Sequence, residues 1–146
     1  MENKINGFTK NQIFQLYEYL VVYEDLGLSN FKSTKAMLCQ HPGLSYITTL
    51  QKRLICHKAK AKEIENVNFK ELKNEVFMTV RNNQLLSFLS HLRNTIAHGG
   101  AVEHKGNVLI TDFENPRYHP VTFTARGCVT FDIINDITSL LKNIQL

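Results

Sequence analysis

The sequence predicts a mainly α-helical bundle with a small β-hairpin before its C-terminal helix. Three observations carry that expectation. Apolar residues recur at helical spacing in separate stretches of the first hundred positions. Between residues 107 and 125 the period changes from about 3.6 to 2. Beyond Thr130, isoleucine and leucine return at helical spacing. The 146 residues suit one compact domain, 1–146, able to bury roughly two-thirds of its unfolded surface.

Each element has its own signals. Thr9 followed by Gln12 forms a capping-box pattern, and Ile13, Leu16, Tyr17, Leu20 and Val21 continue it, so a first helix runs to about Leu26 and stops at Gly27. Residues 31–40 predict a short second helix, closed before "HPG" at 41–43. Ser45 caps a third, with Ile47, Leu50 and Leu54 as its apolar stripe, continuing through "HKAKAKEIE". A fourth begins at Asn68, with Phe69, Leu72, Val76 and Val80 on one face. In "NNQLLSFLSHLRNTIAHGG", Leu85, Leu89, Leu92 and Ile96 make the most clearly amphipathic stretch, ended by Gly99 and Gly100. "NVLITDF" (107–113) and "VTFTA" (121–125), separated by "NPRYHP", read as a hairpin. Thr130 then caps a last helix whose Ile133, Ile134, Ile137, Leu140, Leu141 and Ile144 face a core.

Composition narrows the function classes. No apolar run approaches the ~20 residues needed to cross a bilayer, and "MENKINGFTK" lacks the apolar stretch of a secretory signal, so a cytoplasmic location is expected. Cys39, Cys56 and Cys128 lack paired spacing and read as reduced thiols. The net charge of +4 is compatible with a polyanionic partner. The spacings Cys39-x-His41 and Cys56-His57 do not fit zinc patterns, and neither does the seven-residue interval from His91 to His98, so no metal and no cofactor is expected. No Gly-rich phosphate loop, Ser/His/Asp order or carboxylate pair stands out.

The reactive groups concentrate in "HLRNTIAHGG" (91–100). Asn94 and His98, four apart, share a helical face, and His91 lies on the same stripe. Arg93 and His98, five apart, sit roughly 140° from each other around an ideal helix, which suits a single atom badly. A second copy related by a two-fold axis would place both pairs around one cleft. A histidine in a last turn also commonly serves the helix dipole, and an arginine on an amphipathic helix is commonly solvated or ion-paired. The densest basic run, "QKRLICHKAKAK", holds Lys52, Arg53, Lys58, Lys60 and Lys62, a candidate track for an RNA backbone or a solvated face. Tyr46 and Tyr118 are candidates for stacking on bases.

"LRNTIAHG" resembles the signature of the HEPN superfamily (higher eukaryotes and prokaryotes nucleotide-binding), an arginine followed by a polar residue and then a histidine. Arg93, Asn94 and His98 match those three positions. The resemblance implies a HEPN-like helical bundle and a homodimeric, metal-independent endoribonuclease with a composite site at the dimer interface. It also implies a bacterial toxin held by an antitoxin protein, or a phage-defence component. In such an enzyme His98 moves the proton of the RNA 2′-OH or of the leaving 5′-oxygen. Arg93 binds phosphate and stabilises the transition state, and Asn94 orients either. The expected ends are a 2′,3′-cyclic phosphate and a 5′-hydroxyl. Gly100 occupies the position where some HEPN toxins carry a modified tyrosine, so that regulation is not expected here. The alternative is a catalytically inactive HEPN-fold module that binds RNA, a nucleotide or a protein partner. A third reading is a helical interaction domain in which "RNTIAHGG" only caps a helix.

Overall fold

The computed structural model describes residues 6–28, 53–81, 84–114 and 120–145. Helix α1 (Lys10–Asp25) begins as its sequence dictates. The Thr9 hydroxyl accepts the Gln12 N–H at 3.2 Å, and the Gln12 side chain accepts the Thr9 N–H at 3.0 Å. Strand β1 (Ile55–Lys58), the short helix α2 (Ala61–Glu65), a 3₁₀ turn at Phe69–Glu71 and strand β2 (Glu75–Met78) follow. Then come α3 (Gln84–Ala97), β3 (Val102–His104), β4 (Asn107–Glu114), β5 (Thr122–Val129) and α4 (Phe131–Gln145). The α4 start matches its predicted cap, with the Ile133 N–H donating to the Thr130 hydroxyl at 3.4 Å.

Among the described residues the strands form a single five-stranded sheet in the order β1-β2-β5-β4-β3. β1 and β2 run parallel and the other neighbours antiparallel. This overturns the mainly α-helical bundle: the chain folds as an α/β structure around a mixed sheet. The expected hairpin is present but is the centre of that sheet, longer than read and extended by β3 on one side and β2 on the other.

Two expected helices give way to strands, for a physical reason. The helix through "HKAKAKEIE" is replaced by β1 and α2, and the helix from Asn68 by the 3₁₀ turn and β2. The spacing of Phe69, Leu72, Val76 and Val80 mimics a helical face, but the buried pair is Val76 and Met78, two apart and both wholly inaccessible. Asn74, at φ +52°, interrupts any helix there. Its backbone oxygen accepts the Ile55 N–H at 2.9 Å and its side-chain oxygen accepts the Thr130 N–H at 2.9 Å, tying β1 and the start of α4 together. The second helix expected over 31–40, Ser45, Ile47 and Leu50 of the third, and Cys39, His41, Tyr46, Lys52 and Tyr118 lie outside the described residues.

The core forms where α1, α3 and α4 meet the sheet. Leu85, Phe88, Leu89, Leu92 and Ile96 of α3 pack with Leu16, Tyr19 and Val22 of α1 and with Ile133, Ile134, Ile137 and Leu141 of α4. The same cluster takes in Val76, Met78, Val108, Ile110, Ala125 and Val129 from the strands. Against β5, the turn and α2 are held by Arg126, whose guanidinium lies 4.1 Å from the Phe69 ring centre and 4.9 Å from that of Phe123. No helix among the described residues is long and apolar enough to cross a membrane.

Candidate functional site

The last turn of α3 is brought against β4 by two glycines with different tasks. Gly99 takes φ +72°, the left-handed conformation that ends a helix most easily without a Cβ. Gly100 donates to the Thr95 carbonyl at 2.8 Å. A Cβ on Gly100 would stand 2.6 Å from the Thr111 backbone oxygen, so only glycine lets the chain pass this close to β4. That approach puts the stripe His91, Asn94, His98 beside Asp112.

A chain of polar contacts results. His91 Nδ1 lies 2.8 Å from Asp112 Oδ2, and its Nε2 lies 2.8 Å from the Thr79 carbonyl oxygen. Both ring nitrogens are thereby engaged, one by a carboxylate and the other by a backbone carbonyl. The His91 and Asp112 side chains are 12% and 7% exposed, which makes this a largely desolvated pair. Asn94 Nδ2 donates to the same Asp112 oxygen at 3.2 Å. Arg93 Nη1 donates to Asn94 Oδ1 at 3.1 Å, and Arg93 Nε donates to Glu24 of α1 at 2.6 Å. The Asn94 amide is therefore held at both ends.

These groups border a groove of ≈ 520 Å³ along α3. Arg81 and Ser87 line it toward the start of the helix, His98 at its end, and Asp112, Glu114 and Thr124 across from it. β4 and β5 lose register between Asp112 and Phe113, where Thr124 has no opposite residue on β4, an irregularity of the kind that re-aims side chains next to functional sites. Tyr23 also lines the groove; burial raises the pKa of its hydroxyl, opposed by a hydrogen bond from Ser90, so it presents an O–H. His98 is exposed, and its backbone N–H is bonded to the Asn94 carbonyl at 3.0 Å.

The sequence-predicted residues divide. Asn94 and His98 line the groove; Arg93 does not, and lies behind Asn94 at its edge. The guanidinium reaches the Asn94 amide within one chain. Of the basic run, Arg53 is ion-paired with Asp136, Lys58 is exposed on β1, and Lys60 and Lys62 are exposed around the start of α2. His57 contacts Glu75 at 2.9 Å and stacks on Phe77. Among the described residues no three His, Cys, Asp or Glu side chains are grouped to hold a metal ion.

Sequence reasoning missed Asp112, Thr79 and Glu24. For Asp112 a signal existed. Val108, Ile110 and Asp112 alternate on the buried face of β4, and a carboxylate there demands a partner. Nothing in the sequence marks Glu24 or the Thr79 carbonyl. Comparison with protein-family models, with curated proteins and with solved structures found no match.

Proposed function

We propose that the groove along α3 binds single-stranded RNA and that His98 moves the proton in a metal-independent cleavage of its backbone. One observation carries this reading: the exposed His98 imidazole shares the groove with an Asn94 amide fixed on one side by Arg93 and on the other by Asp112. The reading rests on the site and not on a helical-bundle fold.

The groove follows a helix of 14 residues, roughly 21 Å at 1.5 Å per residue, with Arg81 at one end and His98 at the other. In that setting Arg81 pairs with a backbone phosphate some nucleotides away from the one that reacts. The RNA 2′-oxygen attacks phosphorus as His98 takes its proton. The bond to the 5′-oxygen breaks, and that oxygen takes a proton from water, leaving a 2′,3′-cyclic phosphate and a 5′-hydroxyl. Arg93, held behind Asn94, acts as a positioning residue that keeps the amide aligned and adds positive charge behind the phosphate.

A second reading, binding without turnover, is favoured by the same Arg93: its guanidinium is engaged by Glu24 and lies outside the groove wall. Incubating the purified protein with end-labelled single-stranded RNA in excess chelator separates the two. Cleavage giving cyclic phosphate ends, lost in His98→Ala, supports the enzyme. Binding without cleavage transfers the reading to the module, and 5′-phosphate products overturn the proton-transfer scheme. Growth arrest on expression, relieved by His98→Ala, extends the reading to a toxin restrained by an antitoxin protein.

A further inference from the structure

The wall of the groove across from α3 carries an aromatic side chain in water. Among the described residues Phe113, 41% exposed, is the one exposed large hydrophobic residue that borders the groove. Asp112 before it and Glu114 after it border the groove too. Consecutive side chains of a regular strand leave by opposite faces. The register shift between Asp112 and Phe113 is what lets these neighbours share one wall. Asp112 is buried and accepts from Asn94, whereas Glu114 is exposed. Two carboxylates make this wall unfavourable to phosphate, while Arg81 lines the groove toward the start of α3.

A strand bound here lays its phosphates toward Arg81 and its bases toward β4. Every nucleobase has a face that stacks on an aromatic ring, and an unpaired base leaves its hydrogen-bonding edge free. A carboxylate only accepts, so Glu114 selects N–H donors. Guanine offers two neighbouring donors, N1–H and the N2 amino group, to the two oxygens of one carboxylate. Uracil offers a single N–H between two carbonyl oxygens, which a carboxylate repels. We propose that Phe113 and Glu114 form a base subsite in which a guanine stacks on the Phe113 ring and donates to the Glu114 carboxylate. The subsite rests on the groove's binding single-stranded RNA and adds which base it selects. Phe113 and Glu114 determine specificity and take no part in moving the proton.

Labelled short oligouridine strands, with 2′-fluorine in place of the attacking hydroxyl and a guanosine or a uridine at the centre, measure binding without cleavage by fluorescence anisotropy. Wild type is expected to hold the guanosine strand about tenfold more tightly than the uridine strand. Phe113→Ala should weaken guanosine binding about 5- to 100-fold. Glu114→Ala should erase the preference and leave the uridine strand within about threefold of wild type. The chain has no tryptophan, so Phe113→Trp places a lone reporter at the subsite. That variant should keep the affinity and lose emission when the guanosine strand stacks on it. Phe113→Ala binding like wild type overturns the stacking. So does Phe113→Trp emission indifferent to the bound strand, whatever Phe113→Ala does to the thermal midpoint. Equal affinity of wild type for both strands, or a preference that survives Glu114→Ala, overturns the guanine contact. In all these cases the groove stays an RNA site. If wild type binds neither strand, the reading of the groove itself falls, and the subsite with it.

Discussion

Two places along the groove, one closed and one open, hold the same side chain in opposite circumstances. His91 and His98 lie on one stripe of α3, yet His91 has both ring nitrogens engaged and little exposure, whereas His98 stands in water. At the closed end, burial forces every polar group to find a partner, and the result is a rigid chain from Thr79 through His91 and Asp112 to Asn94. At the open end, the helix has been released by Gly99, and among the described residues the His98 backbone N–H is held by the Asn94 carbonyl. The same side chain is thus a fully engaged structural group where solvent is excluded and an exposed one where it is not.

The largest expected effect tests the open end. His98→Ala should lower RNA cleavage by about 10²- to 10⁴-fold while changing stability by less than about 0.5 kcal/mol; a cleavage assay paired with urea denaturation reads both. The closed end should respond the other way round. Asp112→Ala leaves a His91 ring nitrogen and an Asn94 donor unmet in a largely buried place, and should cost roughly 3 kcal/mol of stability. If Asp112→Ala unfolds no more easily than wild type, the contrast between the two ends is broken.

Smaller effects sharpen it. Thr9→Ala removes one capping-box bond from α1 and should cost about 1 kcal/mol without altering cleavage. Glu24→Gln tests the edge between the ends. Arg93 and Glu24 are 33% and 47% exposed, so stability should change by less than about 1 kcal/mol. Cleavage should stay within roughly threefold of wild type; a large rise would instead mean that Glu24 restrains Arg93. A last effect is confined to alkaline conditions. Burial pushes the Cys56 thiol from 9.0 to about 11, and burial moves Cys128 and Tyr23 in the same direction. Their contribution is fully present below the unfolded values and is lost as the pH rises through the folded ones, so stability should decline between about pH 9 and 11. Cys56→Ala should flatten part of that decline in urea midpoints measured across the range.

Much of the second half of the chain was legible in advance. The amphipathic stripe of α3, its double-glycine stop, the alternating strands of the hairpin and the Thr130 cap all follow from local rules, because each is decided by neighbours within a few residues. The segments around β1 and β2 were not. "ICHK" and "EVFM" are too short to show a period of their own; β2 becomes a strand because β5 offers it an edge, and β1 because β2 then does. The site divides along the same line. Asn94 and His98 were readable from their spacing, but Arg93 swings to Asn94 because Glu24, 69 residues away, holds its other side.

By itself, then, the sequence determined the helices that carry their own caps and stripes, and the stretch in which the reactive groups are gathered. Tertiary structure alone decided that the fold is a mixed sheet covered by helices, that Asp112 meets His91 and Asn94 across the groove, and that His98 is left open at its end. The physical reason is range: caps and helical stripes are settled over a few residues, whereas strand pairing and the satisfaction of a buried charge need partners that only the folded chain brings near.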